Sequence, residues 1–206
     1  MLYIKQSEIY WSNRGINDLG QDWGEEKNWI ESYLESKTHS HRDLVVHKIK
    51  ALNPKSILEV GCASGPNLIR LNEQIPEARL AGIDINPAAI DKLCTLIQGN
   101  FKVGSITKLP FADKEFDVVL ADAVLMYLDH DQIDEVLKEI QRVSKNVVIV
   151  DWFSEENGKT HHSFTRNYPY IMQRLGYSVD SEKLTKETWD SPNWIEKGFI
   201  FVCREV

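Results

Sequence analysis

The chain has 206 residues, of which 42% are hydrophobic and 27% charged, and its net charge is −7 at neutral pH. This composition is ordinary for a globular protein with a sizeable core, so we expect one domain over residues 1–206. The acidic balance, without any cluster of Lys and Arg, disfavours a nucleic-acid partner, because phosphates are bound mainly by basic side chains.

Membrane insertion and a metal centre are also disfavoured by the sequence. There is no apolar run near 18 residues, and residues 1–11 lack the basic start and apolar core of a signal peptide. We therefore expect a cytoplasmic protein. The three cysteines, Cys62, Cys94 and Cys203, have no metal-ligand spacing and are expected to be reduced and buried.

Residues 1–53 combine polar and turn residues with many aromatic ones, namely Tyr3, Tyr10, Trp11, Trp23, Trp29 and Tyr33. We expect an irregular arm followed by helices over about 25–36 and 41–52. Aromatic side chains at this density are rarely left in water. They either pack the helices on the rest of the chain or cover a binding site.

Residues 56–71, SILEVGCASGPNLIRL, predict a strand, a tight loop and a helix. An apolar run forms the strand, small residues from Gly61 to Gly65 form the loop, and Pro66 suits the first turn of the helix. Such a loop lets a ligand approach the backbone closely. A strand–turn–helix corner without a ligand is the alternative.

The spacing of the loop indicates the kind of ligand. Gly61 and Gly65 do not form the G-x-G-x-x-G pattern of dinucleotide-binding folds, which disfavours a nicotinamide-dependent dehydrogenase. Glu59, two residues before Gly61, would repel phosphates and suits a cationic ligand.

A second strand over residues 80–83 ends at Asp84, 19 residues after Gly65. A carboxylate at this position can accept hydrogen bonds from both hydroxyls of a ribose, or it can simply cap the next helix. Asn86 and Pro87 then start a helix with apolar residues on one face.

Further strands are predicted over residues 116–122 and 146–151, with a helix between them that ends near residue 144. This alternation is typical of a parallel sheet with helices on both faces, in which ligands bind beyond the carboxyl ends of the strands. After a helix that ends at Gly176, residues 177–184 and 198–204 predict two antiparallel strands joined by a loop. Trp189 and Trp194 in that loop either shield the hairpin or wall a pocket.

The polar segment 151–170 leaves the same edge of the sheet and contains His161, His162, Arg166 and Tyr168. A histidine there could act as general base, because its pKa lies near neutrality. An arginine could bind a carboxylate or phosphate. The alternative is an exposed loop with no role in catalysis or substrate binding.

Residues 56–151 resemble the class I S-adenosylmethionine-dependent methyltransferases of small-molecule type with a Leu-Pro-Phe motif. Glu59, Gly61 and Gly65 match the acid-x-Gly-x-Gly-x-Gly motif of the family, with Ala63 in place of the middle glycine. The segment 104–111, GSITKLPF, matches a second motif, except that Ser105 replaces the acid that contacts the adenine amino group. The implied fold is α/β and doubly wound, with a mostly parallel seven-stranded sheet in the order 3-2-1-4-5-7-6 and an antiparallel last strand.

The resemblance implies S-adenosylmethionine as cofactor and S-adenosylhomocysteine as product. Residues 1–53 would form a helical extension or lid, 54–151 the cofactor core and 152–206 the acceptor side. The residues implied in cofactor binding are Glu59, Gly61, Cys62, Ala63, Gly65, Asp84, Ile85, Ser105, Ile106, Ala121, Asp122 and Met126. The candidates for contact with the substrate are Tyr10, Trp11, Arg14, Trp23, Arg166 and Tyr168.

The implied reaction is in-line transfer of the sulfonium methyl group to a small-molecule acceptor, at oxygen or nitrogen. Catalysis would then depend mainly on alignment, with Asp122, His161 and His162 as candidate catalytic residues. Asp122 either faces the acceptor as a base or orienting group, or caps the turn that follows it. A methyltransferase of RNA or protein, and an inactive regulator that binds the cofactor, remain as alternatives.

Overall fold

The computed structural model describes residues 9–14, 28–160 and 163–206. Residues 9–12 are helical. The helices that follow are α1 (Trp29–Glu35), α2 (Ser40–Lys50), α3 (Pro66–Gln74), α4 (Pro87–Cys94), α5 (Ile133–Val143), α6 (Tyr168–Arg174) and α7 (Pro192–Lys197). The strands are β1 (Ser56–Val60), β2 (Arg79–Asp84), β3 (Asn100–Val103), β4 (Phe116–Asp122), β5 (Ser144–Trp152), β6 (Gly158–Lys159), β7 (Phe164–Thr165), β8 (Tyr177–Lys183) and β9 (Gly198–Glu205).

Within these residues, seven strands form one sheet in the order β3-β2-β1-β4-β5-β9-β8. The first five strands are parallel, whereas β9 pairs antiparallel with both β5 and β8. Leaving aside the two-residue strands β6 and β7, this is the predicted order with its antiparallel last strand. The predicted fold is therefore confirmed.

Alternating side chains of the buried strands supply two separate cores, one on each face of the sheet. Leu58 and Val119 point to the face covered by α5 and α6, whereas Ile57 and Val118 point to the face covered by α2, α3 and α4. A parallel sheet covered on both faces explains the continuous apolar runs in the sequence. The stripe on α5 packs as its spacing predicts, with Val136, Leu137 and Ile140 buried.

Two segments contain structure that the sequence did not reveal. The stretch between β8 and β9, expected to be a loop, includes helix α7, and the polar stretch after β5 includes the short hairpin of β6 and β7. Helix α7 has six residues and the strands β6 and β7 have two each, so their periodicity is too brief to detect. The prediction that all three cysteines are buried was also wrong, because Cys94 is exposed at the end of α4.

The register of the central strands positions the functional region. Val60 pairs with Ile83 on one side and with Ala121 on the other. The residues that follow each strand therefore meet at one edge of the sheet. None of the helices in the described part of the chain is long and apolar enough to cross a membrane.

Candidate active site

The loop after β1 is tightly held against β2. The backbone N–H groups of Gly61 and Cys62 donate to the Ile83 carbonyl, at 2.8 and 3.2 Å. Gly61 has φ of +69°, and a Cβ atom there would lie 2.4 Å from Cγ2 of Val124. The loop thus has neither the backbone conformation nor the space for a side chain at this position.

Asp84, at the end of β2, ties this loop to the start of α4. Its Oδ2 accepts from the Ala63 N–H and its Oδ1 from the Asn86 N–H, both at 2.8 Å. Burial raises the pKa of Asp84, while the backbone N–H donors lower it. Each oxygen keeps a second lone pair with which it can accept a bond from a ligand.

A cavity of about 290 Å³ opens over the loop at the carboxyl edge of the sheet. Its walls come from β1, β2, β4, the N-terminal segments and the stretch before β9. The lining residues are Trp11, Trp29, Tyr33, Arg42, Glu59, Gly61, Cys62, Ala63, Pro66, Asn67, Asp84, Ile85, Gly104, Ser105, Ile106, Asp122, Ala123, Val124, Tyr127, Leu128, Trp189 and Trp194.

Most of the residues predicted to bind the cofactor meet in this cavity, namely Glu59, Gly61, Cys62, Ala63, Asp84, Ile85, Ser105, Ile106 and Asp122. The other three do not line it. Gly65 forms the N-cap of α3 with φ of +79°. Ala121 and Met126 are buried in the two cores. These three residues shape the backbone around the cavity and do not face it.

A buried polar cluster forms the floor of the cavity. The Asn67 amide donates to Oε1 of Glu59 at 2.7 Å and to Oδ2 of Asp122 at 2.8 Å. His41 and Arg42 also approach Oδ2 of Asp122, at 3.1 and 3.2 Å. Asp122 is therefore bound to α2 and α3, and it is more than a cap for the turn after β4.

Three oxygens of this cluster have no hydrogen-bond partner among the described residues: Oδ1 of Asp122, Oε2 of Glu59 and Oδ1 of Asn67. All three belong to residues that line the cavity. A buried acceptor without a donor is costly, so the oxygens of Asp122 and Asn67 favour a ligand that donates hydrogen bonds or carries positive charge.

The two carboxyl groups of the cluster differ in protonation. Burial raises the pKa of Glu59 to about 8, although the Asn67 hydrogen bond opposes this. Burial acts in the same direction on Asp122, but the charges and hydrogen bonds of His41 and Arg42, with the bond from Asn67, hold its pKa at about 2. At neutral pH the cavity floor carries one carboxylate, at Asp122, and one neutral acid.

Aromatic rings form the walls. Trp11 lies 6.4 Å from Trp29 and 5.6 Å from Tyr127, measured between ring centroids. Trp189, which also lines the cavity, stacks on Trp194 at 3.7 Å. Asn86 holds the N-terminal segment in place by donating to the Trp11 carbonyl at 2.6 Å. The walls are suited to flat or cationic groups and keep water away from them.

The residues that were predicted to contact the substrate lie in different environments. Trp11 lines the cavity, whereas Arg14 is buried behind it with its guanidinium carbon 5.4 Å from the Trp11 ring centroid. Tyr10 is exposed on the outer surface of this segment. Trp23, His161 and His162 lie outside the described residues.

Arg166 and Tyr168 do not reach the cavity, so the structure corrects their predicted place in it. Both side chains are fully buried. Arg166 donates to the carbonyls of Leu125, at 2.9 Å, and Leu128. A guanidinium engaged by carbonyls in the protein interior supports the turn after β4 and has no access to a substrate.

Sequence reasoning missed His41, Arg42 and Asn67. Asn67 had a usable signal, because it is a polar residue on the helical face that also carries Leu71. His41 and Arg42 had none, because their partner Asp122 is about 80 residues away in the chain.

Comparison with known proteins identifies the same region. Residues 57–146 match the family model described as "Methyltransferase domain". An uncharacterized methyltransferase of Schizosaccharomyces pombe is 29% identical over 134 residues, which are 57% of this chain and 47% of that protein. The chain spans about half the length of this and a second curated relative, from Haemophilus influenzae.

Two solved structures share the fold. Geranyl diphosphate C-methyltransferase from Streptomyces coelicolor superposes with a TM-score of 0.71 at 14% identity, covering 100% of this chain and 98% of its own. The 1,6-didemethyltoxoflavin-N1-methyltransferase of Burkholderia thailandensis has a TM-score of 0.66 at 14% identity, covering 86% and 87%. Residues 57–146 therefore match a methyltransferase-domain family, and the sheet order together with these likenesses shows that the chain has the fold of these methyltransferases.

Proposed function

We propose that the chain transfers a methyl group from S-adenosylmethionine to a small-molecule acceptor, at oxygen or nitrogen. The observation that carries this proposal is the pairing, in one aromatic-walled cavity, of the Asp84 carboxylate with the ionised Asp122. The first suits ribose hydroxyls and the second suits a cation. When bound, S-adenosylmethionine supplies a methyl group activated by its positively charged sulfur.

The residues of the cavity fit this cofactor. Asp84 accepts hydrogen bonds from hydroxyl groups, and the close-packed Gly61 allows contact with backbone atoms. The free oxygens of Asp122 and Asn67 provide acceptors for the charged methionine end. Ile106 offers an apolar surface for the adenine, with the Ser105 hydroxyl nearby.

The remaining residues of the cavity wall contact the methyl acceptor. Trp189, Trp194 and Tyr127 surround the space next to Asp122 and hold the acceptor in a fixed position. Alignment of this kind is the main contribution that a protein makes to an in-line displacement. A cavity of about 290 Å³ with aromatic walls, in a chain of net charge −7, supports a small molecule over a nucleic acid.

Calorimetric titration with S-adenosylmethionine and S-adenosylhomocysteine tests the cofactor, with NAD as control. We expect micromolar binding of the first two, about −8 kcal/mol, and none of NAD. Absence of binding by either would refute the proposal.

A screen for S-adenosylhomocysteine release then tests the acceptor, using small amines, phenols and carboxylic acids beside tRNA and protein mixtures. Turnover with a small molecule supports the proposal. Turnover only with RNA or protein, or cofactor binding without turnover on any acceptor, would replace it with the corresponding alternative.

A further inference from the structure

Two histidines at the start of α2 connect Asp122 with the protein surface. Nε2 of His41 lies 3.1 Å from Oδ2 of Asp122, and Nδ1 of His41 lies 2.6 Å from Nδ1 of His39. His41 is buried, whereas His39 is partly exposed. The ring of His41 also stacks on Trp189 at 4.0 Å, so the pair is part of the cavity wall's support.

Hydrogen-bonding rules show which nitrogen atoms of the two histidines carry protons. Asp122 is ionised and can only accept, so Nε2 of His41 carries a proton. A neutral His41 then has a bare Nδ1. The short contact between the two Nδ1 atoms requires one proton, but Nδ1 of His39 also accepts from the His41 backbone N–H at 3.4 Å, so His39 does not supply that proton. One additional proton converts His41 to an imidazolium with both of its N–H groups already bonded.

The charged groups that face the pair are Asp122 on β4 and Arg42 on the same helix. Burial lowers the pKa of both histidines, and Asp122 opposes this shift. Burial therefore favours the neutral pair, whereas the bonds of His41 to Asp122 and His39 favour the pair with the extra proton. Neighbouring Glu59, with a pKa of about 8, stays protonated between pH 5.5 and 7.

We propose that His39 and His41 are positioning residues that orient the free oxygen of Asp122 toward the cavity and make cofactor binding depend on their protonation. This inference rests on the proposed function. A proton on the pair places a second positive charge beside Asp122, in addition to Arg42. The attraction of the site for a sulfonium cofactor then weakens.

The direction in which pH changes the cofactor affinity follows from the positive charge of the cofactor. A cationic ligand favours the state of the pair without the extra proton, so affinity decreases as pH falls through the pKa of the pair. The limiting slope is about tenfold in Kd per pH unit for one proton. The ammonium of S-adenosylmethionine, with an ordinary pKa near 7.7, remains charged below pH 7.

The test is calorimetric titration of the whole chain with S-adenosylmethionine between pH 5.5 and 7.0. For the unmodified protein we expect binding to weaken as the pair takes up its proton, by at most about tenfold per pH unit. The His41→Gln variant keeps an amide that can donate to Asp122 but takes up no proton, so its affinity should vary less than twofold. His47→Asn changes an exposed histidine on the same helix and should keep the full pH dependence.

Nitrogen-15 NMR of the histidine rings, without cofactor at pH 7, tests the proton assignment separately. We expect a protonated Nε2 in both rings, because Nδ1 of His39 accepts from the His41 backbone N–H and Nε2 of His41 donates to Asp122. A bare Nε2 in His41 would overturn the inference.

The outcomes separate the two proposals. Binding that is independent of pH, or a His41→Gln variant as pH-dependent as the unmodified protein, overturns the histidine inference and leaves the methyltransferase function in place. Absence of binding at every pH overturns the proposed function itself.

Discussion

Replacing Gly61 by Ala should destabilise the loop at the centre of the site, for two reasons that can be measured apart. The residue has φ of +69°, which costs an alanine roughly 1 kcal/mol. The new Cβ would also lie 2.4 Å from Cγ2 and 2.8 Å from Cβ of Val124. Overpacking of this kind costs roughly 1–3 kcal/mol, so we expect a total loss of about 2–4 kcal/mol.

The chain offers a matched control for each contribution. Gly176→Ala introduces the same strain, with φ of +85°, at a position where an added Cβ meets nothing within 4 Å. It should cost only the roughly 1 kcal/mol of backbone strain. Val124→Ala removes the nearest methyl group, so the double variant of Gly61 and Val124 should recover roughly 1–2 kcal/mol relative to additive single changes.

Urea unfolding monitored by tryptophan fluorescence measures these differences, and titration with S-adenosylmethionine shows the effect on the site. Since Val124 lines the cavity, its displacement should also weaken binding in Gly61→Ala. A Gly61→Ala variant no less stable than Gly176→Ala, or strictly additive effects with Val124→Ala, would show that the loop does not pack as described.

Three further changes test other parts of the molecule. Asp84→Ala should weaken binding of S-adenosylmethionine by roughly 1–3 kcal/mol through lost hydrogen bonds to a charged group, whereas Asp91→Ala, exposed on α4, should not; equal calorimetric affinities would remove Asp84 from the site. Arg166→Met leaves the Leu128 carbonyl without its Arg166 donor in the interior, whereas the Leu125 carbonyl still accepts from the Leu128 N–H. The free energy of unfolding in urea should fall by roughly 1–3 kcal/mol, against little change for the exposed Arg174→Met; similar values for both would contradict the buried role. Glu59→Gln should become more stable relative to the unmodified protein as pH rises from 5 to 8, because Glu59 in the folded protein keeps a proton that it has lost in the unfolded chain. The difference in unfolding free energy should change by at most about 1.4 kcal/mol per pH unit. A difference that stays constant with pH would refute the raised pKa of Glu59.

The central part of the fold was predictable because its signals are local. The apolar runs, the small-residue loop from Gly61 to Gly65 and the N-cap Asn86 each act on residues within a few positions. Sheet order followed from the resemblance that these motifs carry. The short elements in segments 152–167 and 185–197 were not predicted from the sequence, because contacts with β5 and β9 hold their ends and their own periodicity is too short.

The cofactor side of the candidate site was also predictable, since parallel strands bring the residues that follow them to one edge. Glu59, Gly61 and Asp84 were placed together by that rule, and the structure puts them in one cavity. Arg166 is an exception to this rule. Its position in the chain suggested a substrate contact, but the carbonyls of the turn after β4 bind it in the interior.

The sequence by itself therefore determined the strand–loop–helix unit and the acids at the carboxyl edge of the sheet, because each depends on neighbours in the chain or on strand direction. The order of the sheet was implied by the resemblance to the family. Only the tertiary structure decided the environment of Asp122. Its partners His41, Arg42 and Asn67 come from helices 55 to 81 residues away. Its charge is fixed by burial and by hydrogen bonds that exist only after the helices have packed on the sheet.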